Sequence, residues 1–153
     1  MFYIDPHNPY QPPGRWQRRF DPQWKGPPVS DWKQEWKPPE FAQRRNLIAQ
    51  YDGAIAYWDQ MFRKFVGELK KRGRWDNALI VFTSDHGEAF WEHGFWGHNK
   101  ALYESLIHVP LVISFPPPLR FPPLGRHAGV VDEVVSGVDV LPTILDFLLL
   151  QLT

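Results

Sequence analysis

"ALIVFTSDHGE" occupies residues 78–88, and its first five residues are apolar without a break. A strand with one wet face alternates apolar and polar residues, so this unbroken run predicts a strand covered on both faces, as in parallel sheets. Open parallel sheets hold their sites just beyond the carboxyl ends of their strands. Asp85 and His86 stand at that position, and Gly87 permits a sharp exit. An aspartate and a histidine side by side at a rigid strand end can reach one divalent ion, through oxygen and imidazole nitrogen respectively. The same pair also suits a helix cap followed by a surface histidine.

Outward from this stretch, residues 109–115 form a second apolar run, closed by Pro116-Pro117-Pro118. Val130 to Val135 reads as a short strand, and 139–150 as a helix with Leu141, Ile144, Leu145 and Leu148 on one face. Upstream, Ile48, Tyr51, Ile55, Trp58, Phe62, Phe65 and Leu69 alternate in threes and fours, which predicts one long amphipathic helix over 41–72 with Arg, Gln, Lys and Glu opposite. Lys70-Lys71-Arg72-Gly73 suits its end, because cations favour the negative pole and glycine can take the left-handed cap. Phe2 to Ile4 reads as a short buried strand. The stretch 5–40 carries nine prolines and four tryptophans, which excludes a helix and predicts a loop laid over something. Strand, loop, helix, strand, loop, strand, helix is an α/β order, here part of a mostly parallel sheet flanked by helices.

Composition excludes several classes of function. The 153 residues are of one-domain length, and the 17 Lys and Arg balance the 17 Asp and Glu, so no field gathers a polyanion and no nucleic-acid partner is expected. No apolar run approaches the ~18 residues of a membrane span, and the start lacks the order of a signal peptide. Cysteine is absent, which removes disulfides, thiolate metal sites and a cysteine nucleophile. Compartment is left open. Met1-Phe2-Tyr3-Ile4 opens directly on strand-like residues, which predicts a chain that begins inside a larger architecture.

Two further stretches carry chemistry. In the loop 92–104, His93, His98 and Lys100 lie among glycines that let the backbone approach a ligand. His98 and Lys100 can neutralise the oxygens of a tetrahedral anion or protonate a leaving group, and they equally suit a solvated polar loop. His93, beside Phe90, Trp91, Phe95 and Trp96, reads as a packed ring. In "DPHNPYQPP" (5–13), prolines on both sides of His7-Asn8 fix the backbone and thereby one orientation of the imidazole; a rigid turn with an incidental His7 fits the same residues.

Taken together, "DPHNPYQPP" (5–13), "YDGAIAYWD" (51–59), "LIVFTSDHGEAFWEHG" (79–94), "GHNKALYESLIHVPLVI" (97–113) and "VDVLPTILD" (138–146) resemble the sulfatase family of the alkaline-phosphatase-like superfamily. The resemblance spans most of the chain, and the S-D-H-G-E block followed by G-H and Y-E-x-x-I-x-V-P-L-V is its most specific part. It implies an alkaline-phosphatase-like fold and a hydrolase that cleaves sulfate esters with a divalent metal. Asp85 and His86 map onto family metal ligands. His7 maps onto the histidine that contacts the sulfate or leaving-group oxygen, and His98, with Lys100 as the weaker candidate, onto the cation that contacts the sulfate. Glu104 maps onto a structural position able to fix the loop by hydrogen bonding.

Departures from the family pattern are equally informative. The family's nucleophile is a formylglycine made from the first residue of C/S-x-P-x-R, or a serine or threonine in the phosphatase relatives, and it lies upstream of every motif present here. Ser114-Phe-Pro-Pro-Pro118 lacks the arginine. The chain therefore corresponds to the later half of a catalytic domain, with the N-terminal half, the nucleophile and the remaining metal-binding aspartates outside it. Calcium prefers all-oxygen shells, whereas imidazole favours manganese or zinc, so His86 also admits a phosphatase, phosphonate monoester hydrolase or phosphoethanolamine-transferase of the same superfamily. A non-catalytic remnant that keeps the fold is the third reading.

Overall fold

The long helix dominates the structure, a computed structural model that describes residues 3–98, 101–116 and 129–149. These residues fall into two units divided between Leu119 and Arg120. In the first, α1 (Phe41–Lys71) contains the whole series from Ile48 to Leu69. It ends where Gly73 takes φ +62° and its N–H reaches the Lys70 carbonyl at 3.0 Å, a turn that needs the left-handed conformation glycine adopts without strain.

What α1 buries differs from the amphipathic expectation. Its buried residues are Asn46, Leu47, Ala49, Gln50, Gly53 and Ala54, while Ile55 is exposed. The reason is the proline-rich loop, which lies along the polar side of the N-terminal half of the helix. Proline lacks an N–H, so a loop of this composition satisfies only part of its own backbone and leaves other groups to the helix. The helix amides take these: Asn46 Oδ1 accepts from Val29 N at 2.9 Å, and Gln50 Nε2 donates to the Gln17 carbonyl at 2.8 Å. Buried Asp21 accepts from Arg45 at 3.0 Å and from Asn46 at 3.3 Å, fastening the loop from its middle. A 3-10 turn at Gly14–Arg18 brings the Trp16 carbonyl against Gly53, where a β-carbon would meet it at 2.6 Å.

Downstream, β1 (Ile80–Thr83) leads through the hairpin β2 (Ala89–Phe90) and β3 (Trp96–Gly97), then α2 (Glu104–Ile107), into β4 (Leu111–Ser114). Here the parallel expectation fails. β1 pairs with β4 antiparallel, Ile80 opposite Ser114 and Thr83 opposite Leu111, and β2 pairs antiparallel with β3. A parallel pair needs a crossover long enough to return the chain to the start of the first strand. Among the described residues, 84–110 supply a hairpin and a helix of four residues, and the chain re-enters the sheet at the end it left.

Covering of both strand faces fails too. Ile80, Val81 and Phe82 are half-buried and Val112 is exposed. One face is served by α1, with Trp58 and Phe62 at 5.3 and 6.1 Å from the Phe82 ring. The buried core gathers instead around the aromatic hairpin: Tyr10, Leu47, Phe90, Trp91 and Trp96 form one cluster, and Ala89, Phe95 and Leu106 a second. Arg44 ties α1 to this hairpin by donating to the Phe90 carbonyl.

The expected strand at 2–4 is also corrected. Tyr3 and Ile4 form none and are exposed, and among the described residues no strand lies beside them; Phe2 lies outside the described residues. In the second unit, Val130 to Val135 are likewise exposed and form no strand. Ser136 and Asp139 close a capping box around Gly137–Asp139, and α3 (Val140–Phe147) follows. The expected helix end at 150 lies outside the described residues.

Candidate active site

The exit from β1 is held by close backbone contact. Gly87 N donates to the Leu106 carbonyl at 2.7 Å, and a β-carbon on Gly87 would stand 2.1 Å from the Ser105 carbonyl oxygen. Only a glycine admits that approach. Ser84 Oγ, donating to the His86 carbonyl at 2.8 Å, closes the turn. Asp85 therefore does not cap a helix; its Oδ1 accepts from the His86 N–H at 3.1 Å.

The His86 ring is fixed by its own chain. A carbonyl can only accept, so Nδ1 donates to Gly87 O at 2.7 Å and Nε2 is the nitrogen without a proton in the neutral ring. Nε2 and Asp85 Oδ1 are 3.9 Å apart. One ion bonded at about 2.0–2.4 Å from each spans that distance, so the pair fits as two ligands of a divalent metal. Among the described residues, no group of three or more His, Asp or Glu completes such a site.

Two more histidines meet the first. His98 stacks on His86 with ring centroids 3.8 Å apart, and His7 approaches His98 edge-on at 5.7 Å. His7 Nδ1 donates to the Asn8 carbonyl at 2.7 Å, again a local anchor. The anchor of His98 is different: its Nδ1 lies 3.0 Å from Glu88 Oε1. Glu88 Oε2 accepts from the Tyr10 hydroxyl at 2.7 Å. Burial, with the Glu88 carboxylate beside it, holds the Tyr10 phenol far above its ordinary value, so that hydroxyl keeps its proton and donates.

Two cavities adjoin this cluster. One of about 370 Å³ is lined by His7, Tyr51, Asp85, His86 and Glu88 among others. The other, of about 200 Å³, is lined by Asn8, Trp32, Lys33, Trp96, Glu88 and His98. Glu88 belongs to both walls. Three chain segments, 5–7, 84–88 and 97–98, thus converge, bringing His7, Asp85, His86 and His98 together.

The remaining candidates lie elsewhere. His93 stacks on Tyr103 at 3.7 Å, exposed and away from this cluster. Glu104 fixes no buried loop: its carboxylate is 83% exposed and faces His108 at 3.7 Å. Lys100 lies outside the described residues. Sequence reasoning missed Glu88 and Tyr10. Their only signal is spacing, Glu88 two residues after His86 and Tyr10 three after His7.

Several known proteins are similar to this chain. A family model described as Sulfatase matches residues 1–149. An arylsulfatase of Clostridium perfringens is 28% identical over 96% of this chain and 33% of its own length. A multifunctional alkaline phosphatase superfamily protein of Trinickia caryophylli is 38% identical over 68% of this chain and 19% of its own. Among solved structures, the phosphonate monoester hydrolase of Agrobacterium radiobacter superposes with a TM-score of 0.77 at 26% identity, covering 97% of this chain and 34% of that one. The chain spans about a third or less of the length of each of these relatives.

Proposed function

Because the chain belongs to the sulfatase family of the alkaline-phosphatase-like superfamily, we propose that it carries the metal-holding and leaving-group side of a hydrolase site for sulfate esters, with the nucleophile supplied from outside these 153 residues. The observation that carries this reading is the meeting of His7, His86 and His98 beside Asp85, from three separate segments.

Asp85 and His86 would hold the divalent ion, calcium by family habit or manganese or zinc by the chemistry of an imidazole ligand. Bound there, the ion would draw charge from the ester's equatorial oxygens as the nucleophile attacks. The rest falls to the chain's own side chains. His7, on its proline-fixed turn, hydrogen-bonds an ester oxygen. As the bond from sulfur to the departing oxygen breaks, doubly protonated His98 gives its Nε2 proton to that oxygen and releases an alcohol or phenol. Its Nδ1 proton stays on the ring, donated to Glu88 Oε1.

A second reading is favoured by His86 and by the likeness to a phosphonate monoester hydrolase: the ester is of phosphorus, with the same residues in the same roles. Titrating 4-nitrophenyl sulfate, 4-nitrophenyl phosphate and a phenylphosphonate monoester into the metal-supplemented protein, followed by the ring resonances of His7 and His98, separates the two. Tighter binding of the sulfate is expected, and tighter binding of either phosphorus ester overturns the sulfate reading. Hydrolysis by these residues alone, above a His7→Ala, Asp85→Ala control, contradicts the external nucleophile.

A further inference from the structure

Three imidazoles meet at the site, and each has its Nδ1 on an oxygen, but the oxygens are of two kinds. His7 and His86 use the carbonyl of the residue that follows them, an anchor that no side-chain substitution removes. His98 alone depends on a side chain from another segment, the Glu88 carboxylate. That carboxylate is 5% exposed and His98 is 18% exposed, so water competes little for the bond.

The carboxylate itself is held. Its second oxygen takes the Tyr10 hydroxyl, and Tyr10, fully buried, is wedged by Tyr51, Phe90 and Trp96 with ring centroids at 5.2, 6.1 and 6.4 Å. Tyr10 cannot swing away without opening the aromatic core. A carboxylate bonded in this way has one oxygen left for His98, and an ionised carboxylate only accepts.

We propose that Glu88 is the positioning residue for His98: with Tyr10 holding its far oxygen, it fixes the imidazole as the Nδ1–H tautomer and leaves Nε2 as the nitrogen that meets the reacting oxygen. This rests on the leaving-group role given to His98 above, although the tautomer can be read without any turnover. The arrangement also assigns a function to Tyr10, as the clamp that sets which carboxylate oxygen faces His98. Glu88 touches no reacting atom; it acts through His98.

Replacing the carboxylate by its amide reverses the logic. In Glu88→Gln the Tyr10 hydroxyl still donates, so it takes the amide oxygen and turns the amide NH2 toward His98. An NH2 can only donate, which makes Nδ1 the acceptor and moves the ring proton to Nε2. Nitrogen-15 NMR of the histidine-labelled 153-residue protein reads this directly. Wild type is expected to show a protonated Nδ1 and a bare Nε2 at His98, and Glu88→Gln the two interchanged, with His7 and His86 unchanged as internal evidence of folding.

Wild-type protein with its neutral His98 protonated on Nε2 overturns the proposal, whether or not any variant folds. A folded Glu88→Gln that keeps the Nδ1–H tautomer overturns it as well. Tyr10→Phe frees the clamp, so a mixture of tautomers or a broadened His98 signal is expected, with a single sharp Nδ1–H species counting against the clamp. If the tautomers behave as stated but His98→Ala leaves binding of aryl sulfate and phosphate esters unchanged, the positioning stands and the reading of the site fails.

Discussion

The α-carbon of Gly87 is pressed against Ser105, so closely that a β-carbon would lie 2.1 Å from the Ser105 carbonyl oxygen. Asp85 and His86, the proposed metal ligands, lie just before this contact, and α2 begins just before Ser105. Gly87→Ala must therefore push the 84–88 turn away from the chain at 105–106 and break the Gly87–Leu106 hydrogen bond. A loss of about 1–3 kcal/mol is expected from the overpacking, read as a lower urea midpoint at unchanged slope.

The helix glycines separate local propensity from packing. Gly53 and Gly67 both lie inside α1. Alanine in place of glycine in a helix gains about 0.5–1 kcal/mol when space is free. Nothing stands within 4 Å of a β-carbon at Gly67, whereas at Gly53 it meets the Trp16 carbonyl at 2.6 Å and Pro12 at 3.0 Å. Gly67→Ala is expected to raise the melting temperature and Gly53→Ala to lower it. Equal shifts of the same sign would mean that the loop does not lie on the helix as described.

Alkaline conditions should destabilise the protein through Tyr10. Its folded-state value is raised above the ordinary 10.0, first by burial and then by the Glu88 charge, and Tyr51 is raised by the same two causes in the same order. The unfolded chain therefore releases protons near pH 10 that the folded chain keeps, so this stability is complete below pH 10 and falls as pH rises beyond it. Unfolding free energy should hold up to about pH 10 and then decline, with a further rise in tyrosinate absorbance when the chain unfolds above that pH. In Tyr10→Phe the decline should be shallower; an unchanged slope would assign it to other groups.

Metal binding should report on Asp85 and His86 separately. With two ligands from the chain, binding is expected to be weak, and stronger for manganese or zinc than for calcium because one ligand is imidazole. Manganese titration followed by electron paramagnetic resonance should lose its bound fraction in His86→Ala and in Asp85→Ala, and keep it in His93→Ala. Retention in His86→Ala would remove that residue from the ligand set.

Local sequence determined a good deal of this molecule. The three-four spacing from Ile48 to Leu69 needs only its own backbone to become a helix, and glycine at 73 needs only its missing β-carbon to end it. The unbroken run before Asp85-His86-Gly87 likewise placed a strand and its exit, because backbone stiffness and hydrophobicity act within a few residues. The sulfatase resemblance rests on text of this local kind.

Tertiary structure decided the rest. Strand direction depended on how residues 84–110 fold back, and the burial of Asn46 and Gln50 depended on a loop that leaves Val29 N–H and the Gln17 carbonyl for the helix amides. The Tyr10–Glu88 bond joins residues 78 apart in the chain, and no periodicity marks which of several glutamates will be buried against which tyrosine. Residue types named the chemistry of the site; only the packed chain chose the oxygen that orients His98.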